Sequence, residues 1–304
     1  ELYDAITGLP KPPINVTRGT LIALADFTIE RTSCRLEVVR RLGIRTTAGE
    51  IVIARALEPG QVEVIGCNRA KDLIQAIAQL RECGAELTLV DGAAGRTFLA
   101  SPDVVRTFVL ATGAAFDGDV HRIADAARMA VHRFSLPAPP PRAARRAEQA
   151  MESGVSGIIR ADGRMEALSW PTLLGREPLV AAMISPGDVG LVCARAVGDE
   201  LLAALAYSLR EHSPRHEAFL VVAADPSKIA AGDHSVRAFE AAGGELTVLR
   251  KARVVAVSVN PSSPSGTALD PADLVIEVSK RIEELPVFDV VAELSASGGV
   301  MLET

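Results

Sequence analysis

Aromatic residues are scarce in this chain: eight Phe, two Tyr and one Trp among 304 residues. The apolar share of 48% therefore rests on Ala, Val, Leu and Ile, a composition suited to α/β layers whose strands are buried on both faces. No apolar run approaches the roughly 20 residues that span a bilayer, and the start carries no secretory signal pattern. The four cysteines (Cys34, Cys67, Cys83 and Cys193) are widely spaced and form no CxxC pair, which reads as reduced thiols in a cytoplasmic protein. Three catalytic signatures are also missing. The chain has no GxxxxGK[ST] phosphate loop, no GxGxxG after a strand and no GxSxG nucleophile elbow. Positive charge is scattered over a chain of net charge −6, which argues against a nucleic-acid surface. His212 and His216 have metal-ligand spacing, but Pro214 between them spoils a helix face, and His121, His132 and His234 are isolated.

What is present is an alternation of apolar runs with small-residue breaks. The length favours two domains. In the first half, Thr20–Ala25 reads as a strand, Cys34–Leu42 as a helix stopped by Gly43, and 51–54 and 62–65 as strands around the Glu58-Pro59-Gly60 turn. Asn68 is placed to cap a helix from Arg69 to Cys83. A strand then ends at Val90, a helix starts at Ser101-Pro102-Asp103, an apolar run follows from Val105 to Leu110, and 117–133 is helical. The alternation predicts a mostly parallel sheet.

The Pro- and Arg-rich stretch from Ser135 to Ala147 marks a boundary. It divides an α/β domain at 1–134, a linker at 135–155 and a second α/β domain at 156–304. The second domain reads as a hairpin turning at 161–164, strands at 190–194, 219–224, 246–259 and 287–291, and helices at 199–210, 236–242 and from Asp270-Pro271 to Leu285.

Candidate site residues fall at strand ends. Asp91, at the end of Leu87–Val90, is a carboxylate where an open α/β sheet binds ligands, within reach of Mg²⁺, and Gly92 beside it lets a backbone approach phosphate. The alternative is that Asp91 caps the next turn. With Arg96 and with Thr112-Gly113 at the next strand end, it would form a phosphate-handling rim if the two loops are neighbours. Lys11, held between Pro10 and Pro12, suits a fixed phosphate contact or a solvated loop. Asp225, Lys228 and Asn260 follow later strands and could line a pocket or serve as turn residues.

The phrases Val90-Asp91-Gly92-Ala93, Arg96, Phe98 and Ala100-Ser101-Pro102, then Leu110-Ala111-Thr112-Gly113-Ala114, resemble the signature of the lysine 5,6-aminomutase reactivase family, its KamB-type subunit. Pro10-Lys11-Pro12, Gly19-Thr20, Asp225-Pro226-Ser227-Lys228-Ile229, Val259-Asn260-Pro261 with Ser263-Pro264, Gly266 and Asp270-Pro271, and Pro286–Val290 extend the resemblance from about residue 7 to residue 290. It implies an accessory, chaperone-like factor of lysine fermentation. Such a factor serves a cobalamin- and pyridoxal-phosphate-dependent aminomutase and promotes exchange of damaged cobalamin with ATP and Mg²⁺. A second subunit resembling a mismatch-repair ATPase is its companion, and neither nucleic acid nor membrane is a partner.

Asp91 then stands in a Walker-B-like position for Mg²⁺, with Lys11 and Arg96 nearby. The family's phosphate loop precedes the Pro-Lys-Pro segment and is not among these 304 residues, which begin at Glu1 rather than Met, so either an upstream segment carries it or the first sheet lacks it. The first domain is accordingly read as a phosphate-loop NTPase core without its N-terminal strand and loop, and ATPase activity as dependent on that loop. Thr97-Phe98-Leu99 and Pro13 depart from the family's usual residues. Two alternatives stand beside this reading: a ligase or synthetase of the dethiobiotin synthetase type, and a non-catalytic scaffold that has lost nucleotide binding.

Overall fold

The computed structural model describes residues 14–92, 97–211, 217–263, 266, 268–290 and 294–295. The chain forms two compact units. The first comprises 1–99 with 103–105 and 264–266, and the second comprises 100–102, 106–263 and 267–304.

In the first unit the strands are β1 (Ile14–Val16), β2 (Leu21–Ala25), β3 (Leu36–Thr46), β4 (Gly49–Ala56) and β5 (Gly60–Val62), followed by helix α1 (Ala70–Glu82). β4 lies between β2 and β3, antiparallel to both, and β1 pairs antiparallel with β5. The run Ile51-Val52-Ile53-Ala54 is apolar because β4 is central. Ile51 and Ile53 pack with Ala76 and Leu80 of α1, while Val52 and Ala54 pack on the opposite face with Leu24 and Val62. Such a run marks a strand buried on both faces whatever its neighbours' direction, so the expected parallel sheet is corrected here to an antiparallel one.

The expected helix at 34–42 is likewise strand β3. Its 3.6-residue spacing is overridden by pairing with β4, and bulges at Val38–Arg40 and Arg41–Arg45 absorb the mismatch. α1 forms where expected and stops at Gly84 (φ +98°), but Arg69 occupies its N-cap and no side chain caps it, so Asn68 does not have the role assigned to it. Residues 85–92 form no strand, and Leu87 and Leu89 are 76% and 85% exposed. The buried strand expected to deliver Asp91 is therefore absent from the structure. No helix begins at Ser101 either.

The second unit contains two sheets. The strand β6 (Thr107–Gly113) and helix α2 (Val120–Ser135) open it. Helix α3 (Pro141–Ser153), the hairpin β7 (Gly157–Ile159) and β8 (Met165–Ala167), helix α4 (Glu177–Ala182), β9 (Gly190–Cys193), α5 (Asp199–Glu211), β10 (Phe219–Ala223), α6 (Asp233–Ala241) and β11 (Gly244–Val248) follow. β12 (Arg253–Asn260), α7 (Pro271–Arg281), β13 (Val287–Asp289) and the short β14 (Leu294–Ser295) complete it.

β9, β10 and β11 are parallel, and β7 and β8 extend the same sheet antiparallel. Leu201, Leu202, Leu205 and Leu209 of α5, with Val180 and Phe239, bury one face. Each fully buried leucine contributes roughly 1.5–3 kcal/mol, so α5 is the main anchor of that layer. Ala143, Ala147 and Ala150 of α3 bury the other face against Val192, Leu220 and Val222.

The stretch expected to be a linker is thus a helix inside the second unit, and the division between units falls near residue 100 instead. Proline at the first helical position starts α3 without losing a bond, and Gly154 (φ +68°) ends it. β6, β12 and β13 form a separate parallel sheet, with α2 and α7 packed on it through Ile123, Val131, Leu274 and Val278. β7–β8, β9, β10, β13, α5 and α7 lie close to their expected places, the run at 246–259 divides into β11 and β12, α6 starts three residues before the expected 236, and α4 and β14 are not among the expected elements. The chain is mixed α/β, with parallel pairing concentrated in its second unit, and no helix among the described residues is long and apolar enough to cross a membrane.

The thiols follow from this packing. Burial, with the charge of Asp72 adding to it, pushes Cys67 up to about 11, and burial alone pushes Cys193 up to about 12. At pH 8 a thiol reagent should modify the partly exposed Cys83 in the native chain and reach Cys67 and Cys193 only after denaturation, as mass spectrometry of the labelled chain would read directly.

α2 and α7 are also clasped across their exposed faces. Arg281 binds Asp125 at 2.7 Å and Glu277 at 2.9 Å, while His121 Nδ1 lies 3.4 Å from Glu277. Hydrogen bonds from Lys280 and then Arg281 hold the Glu277 carboxyl near 2, below its ordinary 4.5. A carboxyl lowered on folding adds stability above its unfolded value and loses it as pH falls through the folded one. Glu277→Gln should therefore be less stable than the parent at pH 6, with the gap closing between pH 4.5 and pH 2 in denaturant titrations.

Candidate functional site

Two of the strand ends that the sequence singles out, at Thr112-Gly113 and at Asn260, meet at one edge of the β6–β12–β13 sheet. β6 and β12 pair in register, with Thr112 opposite Val259 and Gly113 opposite Asn260. Ala114 N–H donates to the Asn260 carbonyl at 2.9 Å, locking the two ends together. Gly113 has φ +150°, and a Cβ there would fall inside the Asn260 backbone carbonyl. Glycine is required at this position by close backbone approach. A turn follows, in which Phe116 N–H donates to the Gly113 carbonyl at 2.9 Å and the Phe116 ring is 64% exposed.

The Asn260 side chain accepts from Ser262 N–H at 2.9 Å, an Asx turn that directs the chain toward α7. Leu269 N–H donates to the Pro261 carbonyl, and Asp270 caps α7 by accepting from Asp273 N–H at 2.9 Å. β13 ends beside β12 at the buried Asp289. Thr112, Gly113 and Asn260 are therefore brought together, and Asp289 joins their edge. Position 289 lies within the Pro286–Val290 motif, a signal that could have marked it.

This edge offers backbone groups, the Thr112 hydroxyl, the Asn260 amide and the buried Asp289 carboxylate. Residues 112–117, 259–263 and 287–290 contain no Lys or Arg, so they cannot neutralise a phosphate by themselves. Lys11 and Arg96 lie outside the described residues, as do His212 and His216. Asp91 and Gly92 are exposed and belong to the first unit. Among the described residues no group of three His, Cys, Asp or Glu side chains could hold a metal ion.

Asp225 and Lys228 lie at the end of β10, on the five-stranded sheet. Asp225 is 1% exposed and turned into its own loop. Its Oδ1 accepts from Ser227 N–H at 2.9 Å and from the Ser227 hydroxyl, and its Oδ2 accepts from Ser101 Oγ at 3.5 Å. That is turn chemistry, the alternative reading of this residue. Lys228 is exposed. β9, β10 and β11 follow one another in chain order across this sheet, with β7 and β8 on the other side of β9.

Comparisons with protein-family models, curated proteins and solved structures find no match to this chain.

Proposed function

We propose that this chain is an accessory reactivating factor for a cobalamin- and pyridoxal-phosphate-dependent amino acid aminomutase. In this reading it is cytoplasmic, works with ATP and Mg²⁺ and a second, ATPase-like subunit, and helps damaged cobalamin leave so that intact adenosylcobalamin can enter. The observation that supports it is convergence. Segments 110–114, 259–261 and 286–290 carry the resemblance, lie far apart in sequence, and meet at the carboxyl ends of three parallel strands. Shared motifs that assemble at a sheet's ligand-binding end are what a common site requires.

β6 has no strand on its outer side among the described residues. In the proposed reading a phosphate-loop strand would continue the sheet there and supply the missing phosphate ligands. Asp91 would hold Mg²⁺, and Lys11 and Arg96 would carry phosphate charge. The scaffold alternative draws on the lack of cationic side chains at the strand ends. Titration with Mg-ATP separates the two, and association tests the reading they share. The chain should co-elute with a cobalamin-loaded aminomutase in size-exclusion chromatography. Separate elution at micromolar concentrations of both proteins would refute the partnership.

A further inference from the structure

Within the second unit one layer is inserted into the chain of the other. The chain leaves the β6–β12–β13 layer after α2, builds the whole five-stranded layer from α3 to β11, and returns to enter β12. The two layers have separate hydrophobic cores with no shared residue. The two crossings run side by side: Val248 N–H donates to the Pro137 carbonyl at 3.0 Å, and Lys251 Nζ to the Leu136 carbonyl at 3.1 Å. Leu136 already packs in the inserted core, so the pivots lie at Ser135–Leu136 and Lys251–Ala252. Two adjacent connections between two independent cores are the geometry of a hinge.

A shallow cleft opens between α2 and α6, lined by Arg128 and His132 on one side and Asp233, Val236, Arg237 and Glu240 on the other. Arg237 is occupied by Asp233 on its own helix. Arg128 and Glu240 face the cleft and form no ion pair among the described residues. At the cleft's inner end Arg133 donates to the Ala231 carbonyl at 3.1 Å, and burial lowers its pKa. That contact holds the loop before α6 against α2.

We propose that the inserted layer is a hinged lid that closes on α2 when Arg128 pairs with Glu240. An exposed ion pair is weak, which suits a reversible closure in which open and closed forms differ in population by a few-fold. The cleft is thereby a place where a ligand or the partner enzyme can bias the equilibrium.

Spin labels on Ala126→Cys in α2 and Ala241→Cys in α6, in a Cys83→Ser chain, report the gap by electron–electron dipolar spectroscopy. Two distance populations are expected. Glu240→Lys should deplete the shorter one by a few-fold, and adding Arg128→Glu to that chain should restore it. A single narrow distance, or a short population unmoved by Glu240→Lys, would overturn the lid. The restoring double variant separates loss of the pair from general damage to the fold.

Discussion

Replacing Gly113 by alanine should lower the stability of the second unit by roughly 3 kcal/mol or more, at the upper end for a single methyl group. Two costs add. The backbone at φ +150° is one that side chains rarely adopt, and the new Cβ would overlap the Asn260 carbonyl, which is fixed by the β6–β12 register and by Ala114 N–H. Because the obstacle is backbone rather than the far end of a side chain, no rotamer relieves it. The ladder from Thr107 to Gly113 must shift or open at its end. Urea unfolding followed by circular dichroism reads the loss, and hydrogen exchange should place the early opening in β6 and β12. A variant as stable as its parent would mean that the two strand ends do not meet as described.

Asp225→Ala should be the second most damaging change, at roughly 1–3 kcal/mol. The carboxylate is buried, and removing it leaves Ser227 N–H without the acceptor that caps the turn after β10. Asp225→Asn keeps the shape and one good acceptor, so it should recover part of the loss. Equal stability of all three chains would show the residue to be free of this structural duty and return it to the list of ligand-binding candidates.

The second unit was the more legible part of the sequence, and the reason is physical. Its parallel strands are short apolar runs bounded by turn residues, and its helices carry clear starts: Asp119 accepts from His121 and Arg122 N–H at α2, and Asp270-Pro271 opens α7. These are local signals. The first unit depends on non-local pairing. Nothing within Leu36–Thr46 says that its helical spacing will yield to a partner strand, and Ile51–Ala54 announces burial without announcing direction.

The insertion was hidden for a related reason. Prolines at 137, 139, 140 and 141 suggest a linker, yet they serve as one crossing and as the first turn of α3. The alanine stripe at 143, 147 and 150 was the available clue to that buried helix. Of the candidate site, the strand-end positions Thr112, Gly113 and Asn260 were readable because small and polar residues interrupt apolar runs there. The turn duty of Asp225 was readable as one of two alternatives, because Ser227 is two residues on, but its second partner Ser101 is far away in sequence and was not.

The central claim is the action on an aminomutase, and recovery of activity tests it most directly. An adenosylcobalamin- and pyridoxal-phosphate-dependent aminomutase is allowed to inactivate during turnover. It is then incubated with this chain, the companion subunit, Mg-ATP and fresh adenosylcobalamin. The account predicts that activity returns, that damaged cobalamin appears in the free fraction, and that Asp91→Ala slows both while the variant stays folded. Activity that stays lost with every component present, and cobalamin that stays bound to the enzyme, would contradict it.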